Sequence, residues 1–314
     1  MALHPEASSH ILKFPHRILS QFAQVATLPE RMPDPVVKRN LWWQAVILAG
    51  LVVWLYSSIL FRLALQWWTD PNFSHGFFVP AFSIFVLWQN RVKLLALPRT
   101  PSSWGLPIIV LGLVTLIVGV LGAELFLSRT SLLILMAGLV IYFLGWKFFR
   151  AVLFPWAFLV LMIPIPAIIF NQITFPLQLL ASKVAAAVLP LFGVPVLREG
   201  NVINLPEMAL EVAEACSGIR SLMSLTTLAI IYGYLMETRT TIRVLLALAS
   251  IPIAVAANSL RIIGTGLLVQ YWDPDKAEGF FHAFSGWLIF VVSLSMLFLV
   301  HKLATFRREP RSSL

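Results

Sequence analysis

The sequence predicts an all-α, polytopic integral membrane protein, a bundle of about eight transmembrane helices. Of its 314 residues, 59% are hydrophobic and only 12% are charged. A soluble domain carries about 25% charged residues, because charge is what covers a water-facing surface. A soluble enzyme and a disordered chain are therefore excluded, and the single cysteine, Cys216, excludes a disulfide scaffold.

Long apolar runs define the predicted spans, since roughly 20 apolar residues are needed to cross the hydrocarbon core. The eight runs cover residues 41–61, 76–88, 104–122, 130–146, 151–169, 218–236, 244–269 and 282–300, of which the second is short. A further apolar stretch, 171–192, is interrupted by Pro176 and Pro190 and carries Lys183. It is open to three interpretations: a ninth span, a re-entrant segment or an interfacial helix.

The basic residues predict the orientation of the bundle. They cluster in the N-terminal tail, after the second, fourth and sixth runs, and in the C-terminal tail. With eight spans, all these segments lie on one side, which the positive-inside rule identifies as the cytoplasm. A full crossing at 171–192 would move the basic segment 237–243 to the other side, so we interpret that stretch as non-crossing. The same rule accounts for the net charge of +9 without nucleic acid as a partner.

The predicted organisation follows from these spans. Residues 1–40 form a cytoplasmic tail, residues 41–303 form one transmembrane domain in contact with the lipid bilayer, and residues 304–314 form a second cytoplasmic tail. No internal repeat and no second soluble domain is evident.

Three polar residues distant in sequence fall at one predicted membrane depth on the non-cytoplasmic side. Cys216 precedes the sixth span, Arg261 lies toward the outer end of the seventh, and His282 begins the eighth. Ionisable residues near span ends are costly in lipid and usually face the bundle interior or a water-filled cavity. A thiolate stabilised at a helix N-terminus, a histidine that exchanges protons and an arginine that stabilises an oxyanion together suit acyl transfer on a peptide bond.

The segments around these residues resemble the signature of the exosortase/archaeosortase family. The most specific is Glu214-Ala215-Cys216-Ser217-Gly218-Ile219-Arg220-Ser221, followed by Asn258-Ser259-Leu260-Arg261 and then His282. Asp70-Pro71-Asn72-Phe73-Ser74-His75-Gly76 and the stretch 193–206 are weaker matches that fall in the family's order. The resemblance covers residues 41–303, and His282 at the third position favours bacterial exosortases over archaeosortases.

The resemblance implies a multi-pass enzyme of the bacterial inner membrane with its active site on the periplasmic side. Exosortases are transpeptidase-like cysteine enzymes that recognise C-terminal sorting tails of exported proteins. Such a tail has a Pro-Glu-Pro-type motif, a hydrophobic helix and a basic end. The enzyme would cleave near the motif through a thioester and transfer the protein to an acceptor, whether lipid, glycan or water. Exopolysaccharide production and cell-surface assembly are implied as its context.

Carried over to this chain, the resemblance makes Cys216 the nucleophile, Arg261 the oxyanion or thiolate stabiliser, and His282 the general acid and base. Residues expected to support them or to bind substrate are Arg220, Asn258, Ser217 and His75. Arg220 lies four residues after Cys216 on one helix face, so it supports the thiolate, binds substrate or pairs with Glu214 or Glu211. Asn258 orients Arg261, donates to the oxyanion or only joins helices. His75 lines the mouth of the site or caps the second span.

Two other classes of function compete with this interpretation. A transporter or polysaccharide-assembly component without peptidase activity would explain the apolar spans, and would be expected to have internal repeats or broken helices. A serine intramembrane protease lacks a Gly-x-Ser-x-Gly site here. No metal or cofactor is expected, because the sequence has neither a cluster with metal-ligand spacing nor a phosphate-binding loop.

Overall fold

A computed structural model describes residues 35–206, 208–212, 219–271 and 280–306. Most of this part of the chain is helical, and an antiparallel sheet of three short strands interrupts it. Most of both predicted tails lies outside the described residues. The first described helix nevertheless begins at Pro35, inside the predicted N-terminal tail.

The first half of the described chain is entirely helical. Its elements are α1 (Pro35–Thr69), a 3₁₀ helix (Pro71–Phe77), α2 (Phe78–Gln89), α3 (Arg91–Leu95), α4 (Gly105–Leu121), α5 (Leu125–Leu144) and α6 (Trp146–Phe158). The second half contains the sheet. Its elements are a 3₁₀ helix (Leu159–Met162), α7 (Ala167–Val188), a 3₁₀ helix (Leu189–Phe192), β1 (Leu197–Glu199), β2 (Val202–Asn204), β3 (Ala209–Glu211), α8 (Ile219–Met236), α9 (Thr240–Tyr271) and α10 (Phe280–Phe306).

Six helical stretches in the described residues are long and apolar enough to cross a membrane. They are Val46–Thr69, Leu125–Leu144, Ala167–Phe192, Ile219–Met236, Thr240–Tyr271 and Gly286–Phe306. Helix α4 is apolar but shorter. The prediction of an all-α polytopic membrane bundle is confirmed. The count of eight spans is not established, because the second and fifth runs form helices of only 12 and 13 residues.

The fifth predicted run, 151–169, is divided rather than continuous. Helix α6 ends at Phe158, one 3₁₀ turn follows, and α7 begins at Ala167. Between them, Ile163 is extended at φ −89° and ψ 118°, and Pro166 at φ −54° and ψ 140°. Proline lacks an N–H donor and disfavours helical backbone at the residue before it, so Pro164 and Pro166 end the helix here.

Helices α4 and α5 form an antiparallel pair in unusually close contact. Gly105, Gly112 and Gly119 recur every seven residues along α4. A Cβ atom at each of them would lie 2.4–2.9 Å from a backbone nitrogen of α5, and one at Gly138 would lie 2.7 Å from Ile109 N of α4. Small residues let transmembrane backbones approach in this way, and a seven-residue repeat keeps one face of each helix toward its partner.

The basic loops meet at one end of the bundle, which we call the basic end: residues 90–104, 144–150, 237–243 and 301–306. The amide of Asn90 donates to Tyr234 Oη at 3.1 Å, and Thr100 N donates to Leu144 O at 3.2 Å. The other end, called the site end, holds residues 70–77, 159–166 and 258–271. There Trp67 Nε1 donates to Met162 O at 2.9 Å. The grouping of loops agrees with the predicted topology, in which all basic segments share one side.

Both ends of α7 pack near the site end. Phe170, in its first turn, contacts the Phe73 ring with centroids 5.9 Å apart. Its last turns pack with Leu189 against Ile262 and Val269 of α9. The helix is long and apolar enough to span a bilayer, and it carries exposed apolar side chains such as Ile168 and Phe175. The interpretation of 171–192 as non-crossing therefore stays a prediction from the charges.

The small sheet covers the same apolar surface and was not expected from the sequence. Strand β2 pairs with both β1 and β3 in antiparallel register. The β1–β2 turn uses Gly200 at φ +65°, a conformation that glycine adopts without strain. Ile203 and Val212 are almost completely buried against α7 and α9. The chain that leads to the cysteine segment is therefore anchored in a packed core.

Candidate active site

Helices α8 and α9 form a hairpin whose register sets the depth of two predicted site residues. Thr226 Oγ1 lies 2.8 Å from Ser250 Oγ, which aligns these two positions. The two helices are antiparallel, so seven residues toward the site end lead from 226 back to Ile219 on α8 and from 250 forward to residue 257 on α9. The first residue of α8 therefore lies opposite residue 257, about 10 Å from the aligned pair. Asn258 therefore lies beside the first turn of α8, and Arg261 lies about one helical turn beyond it.

Helix α10 is aligned with this hairpin at its other end. Tyr232 Oη and His301 Nδ1 are 2.7 Å apart, which places residue 301 near the basic end of α8 and α9. From there, residue 282 is about 28 Å away along α10, and Arg261 is at a similar height on α9. By this measure the backbone at 282 and the backbone at 261 lie at a similar height, and their meeting in one site stays a prediction.

The two described side chains of this group differ in burial. Asn258 is only 3% exposed, in a buried run with Ala257 and Ser259. Arg261 is partly exposed, and its backbone carbonyl accepts from Thr265 Oγ1 at 3.0 Å. A buried amide and, three residues further along α9, a partly exposed guanidinium therefore both lie at the site end.

Three further predicted site residues are Cys216, Ser217 and His282. Cys216 and Ser217 lie outside the described residues, and for His282 only the backbone, in the first turn of α10, is described. The cysteine segment is bracketed by two buried residues. Val212 donates its backbone N–H to Asn201 O at 3.0 Å, and Ile219 is 2% exposed in the core beside Phe73 and Phe170.

Arg220 contacts Asn72, a residue of the 70–76 segment for which no role was predicted. Its Nε donates to Asn72 Oδ1 at 3.4 Å. Asn72 is held by Asp70, whose Oδ1 accepts from Asn72 N at 2.9 Å and so caps the 3₁₀ helix. Two separate pieces of the family signature, 70–76 and 214–221, are thereby in contact. Because both segments belong to the same family signature, the sequence did offer one indication that Asn72 lies near Arg220.

His75 is a buried connector between two 3₁₀ helices. It is 5% exposed, and its Nε2 lies 3.2 Å from Leu161 O, consistent with donation from the neutral ring. Burial lowers its pKa, outweighing the opposing effect of the Leu161 carbonyl. The ring therefore does not cap α2 through its Nε2, which bonds to a carbonyl of the 159–162 turn instead.

Arg129 is a buried arginine at the site end that was not predicted from the sequence. Arg129, in the second turn of α5, is 3% exposed, and its Nε has no hydrogen-bond partner in the described part of the chain. It lies just outside the predicted fourth run, which begins at residue 130. An arginine inside a transmembrane bundle is costly and is often functional, so its position beside the predicted run was the signal that could have identified it.

These observations define a multi-pass membrane protein with polar residues of several helices gathered at the end opposite its basic loops. The family model described as transmembrane exosortase matches residues 67–299, which is most of the chain. The chain therefore belongs to the transmembrane exosortase family, and the resemblance seen in the sequence is confirmed. Membership supports, in general terms, a membrane transpeptidase that sorts proteins. No curated protein and no solved structure matches the chain.

Proposed function

We propose that this protein cleaves the C-terminal sorting tails of exported proteins through a Cys216 thioester and transfers the acyl group of that thioester to an acceptor. The observation that carries the proposal is the register of α8 and α9. It sets Asn258 and Arg261 beside the N-terminal end of α8, and Cys216 precedes that end by three residues. A helix N-terminus lowers the pKa of a nearby thiol, because its free N–H groups and dipole favour the thiolate.

Each step of the reaction has a group of suitable chemistry. The Cys216 thiolate attacks the scissile carbonyl carbon, and the carbonyl oxygen becomes an oxyanion. The Arg261 guanidinium, which stays charged, stabilises that oxyanion by hydrogen bonding. His282 donates a proton to the departing amine, the C–N bond breaks, and a thioester remains.

The second half-reaction reverses these roles. His282, now neutral, takes a proton from the acceptor nucleophile, which attacks the thioester carbonyl. The C–S bond breaks and the thiolate is regenerated. Water as the acceptor gives hydrolysis, and a lipid or glycan hydroxyl or amine gives transfer.

The supporting residues are assigned from their chemistry. Asn258, buried beneath Arg261, orients that side chain. Arg220, held by Asn72, binds the substrate near the scissile bond. Ser217, next to the nucleophile in sequence, supports it or binds substrate, and His75 holds the two 3₁₀ turns together. The site end faces the periplasm of a bacterial inner membrane, since the basic end is retained in the cytoplasm.

The test is co-expression with an exported protein that carries a Pro-Glu-Pro-type motif, a hydrophobic helix and a basic end. Wild-type protein should remove the tail, and Cys216→Ala should not. Ser295→Ala is a matched control, because the Ser295 hydroxyl donates only to Val291 O within its own helix. Mass spectrometry of the product locates the cut. Removal of the tail by Cys216→Ala would contradict the mechanism. A panel of tails left intact by folded wild-type protein would favour the transporter alternative.

A further inference from the structure

An apolar cavity of about 390 Å³ begins at the basic end and extends as far as Leu159, the first residue of the 3₁₀ turn that follows α6. Helices α2, α3, α5 and α6 enclose it. Its walls include Leu87, Leu94, Val140, Phe149, Val152 and Trp156. The volume is within the range of small-molecule sites, about 300–1,000 Å³.

The polar groups in the wall are satisfied within the protein, with one exception. Ser83 Oγ donates to Pro155 O at 3.0 Å, and Trp156 Nε1 donates to Leu133 O at 2.9 Å. The cavity therefore offers a hydrocarbon surface to whatever occupies it. The exception is Arg91, an exposed residue that lines the cavity through its aliphatic stem, because the wall has almost no polar surface, and whose guanidinium lies at the rim.

Arg91 is held against Trp88, at the basic end of α2. Its guanidinium carbon lies 4.5 Å from the centre of the Trp88 ring, and its Nη1 donates to Trp88 O at 3.0 Å. Tryptophan is enriched at the interface, and Trp88 is 57% exposed. One of the five N–H donors of the guanidinium is used by the Trp88 carbonyl, and within the described ranges of the chain the other four have no acceptor. The cavity extends from this cation toward Ser83, about 12 Å deeper along α2.

We infer that this cavity binds one acyl chain of an anionic phospholipid, with Arg91 contacting the phosphate. A hydrocarbon-lined cavity that begins at a cation of headgroup depth matches a molecule with an apolar chain and a negative head. Basic pockets between transmembrane helices bind anionic headgroups in this way. Charge also argues against an apolar helix with a basic end, because Arg91 and the neighbouring Lys93 and Arg99 would repel it.

The test compares two lipids that differ only in their headgroups. Full-length protein is delipidated in detergent, and binding of dioleoyl phosphatidylglycerol and dioleoyl phosphatidylcholine is measured by native mass spectrometry. Wild-type protein should prefer phosphatidylglycerol. Arg91→Gln should weaken that binding about 1.5-fold to fivefold, the range for one exposed ion pair, and leave phosphatidylcholine unchanged. Arg239→Gln, another exposed arginine of the basic end, should change neither.

A second variant tests the hydrocarbon part of the site. Val140→Trp fills the cavity and should reduce binding of both lipids, whereas Val118→Trp, on the exposed face of α4, should not. Equal binding of the two lipids to wild-type protein, or unchanged binding to Arg91→Gln or Val140→Trp, would overturn the inference. Displacement of phosphatidylglycerol by an apolar peptide with a basic end would overturn it as well.

Discussion

The contact between α4 and α5 gives a stability prediction whose size can be worked from distances. In Gly138→Ala the new methyl carbon would lie 2.7 Å from Ile109 N, and ordinary contact begins at 3.4 Å. The obstacle is a backbone atom of the facing helix, so no side chain can rotate away. The two helices must separate locally by about 0.7 Å, and a gap of 0.5–1 Å loses roughly a quarter to a half of each contact's attraction.

Two opposing terms set the net effect of this substitution. Overpacking of a tight interior costs about 1–3 kcal/mol, and the better helix propensity of alanine offsets about 0.5–1 kcal/mol of it. We expect a net loss of about 1–2 kcal/mol and an apparent Tm lower by about 2–6 °C. Gly50→Ala is the matched control. A Cβ at Gly50, inside α1, has nothing within 4 Å, so only the gain in helix propensity should remain.

The assay is thermal unfolding of both purified variants in one detergent at one heating rate, because membrane proteins often unfold irreversibly and Tm then depends on the scan. Gly138→Ala should unfold below wild type, and Gly50→Ala at or above it. Equal Tm values for the two variants would refute the reasoning, since they differ only in what the added methyl group contacts.

Three further predictions concern the site and the basic end. Arg261→Gln should lower the rate of tail cleavage about 100-fold or more, and wild-type rates would exclude Arg261 as the oxyanion donor. Asn72→Ala should change stability by less than about 0.5 kcal/mol yet raise KM for the tail, because Arg220 loses its partner; an unchanged KM would separate Arg220 from substrate binding. Partial burial alone would raise the pKa of Glu237, but hydrogen bonds from Arg239 N and Thr238 N, with His301 nearby, lower it. Stabilisation by this carboxylate is present at neutral pH and is lost as pH falls below 4.5, so the Tm difference between wild type and Glu237→Gln should shrink there.

The sequence predicted the long helices well because hydropathy over 18 or more residues is a strong signal. Helices α8, α9 and α10 begin and end within a few residues of the predicted spans. The division of 151–169 was missed although Pro164 and Pro166 were visible, since an apolar run of span length outweighed two local breakers. The sheet was missed because strands of three residues are too short to show a period.

For the candidate site, the sequence could predict depth but not lateral contacts. Counting spans placed 261 and 282 at one height, and the hydrogen bonds of Ser250 and His301 support that height. Hydropathy does not encode which helices are neighbours. The contact between Arg220 and Asn72 depends on the packing of the 71–77 turn against α8, and only the three-dimensional arrangement reveals it.

The unequal lengths of α8 and α9 connect the sheet to the site. Helix α8 has 18 residues and its partner α9 has 32, so the last turns of α9 extend past the start of α8 with an apolar face that includes Ile262 and Val269. Helix α7 and the sheet bury that face. Strand β3 then leads into the segment that contains Cys216, and α8 begins directly after it. The packing that covers the extension of α9 therefore also fixes Val212, the last described residue before the cysteine segment. Ile219, the first described residue after that segment, is buried in a second part of the core. Both ends of the segment proposed to carry the nucleophile are therefore held by buried side chains, which is the support from packing that a catalytic residue requires.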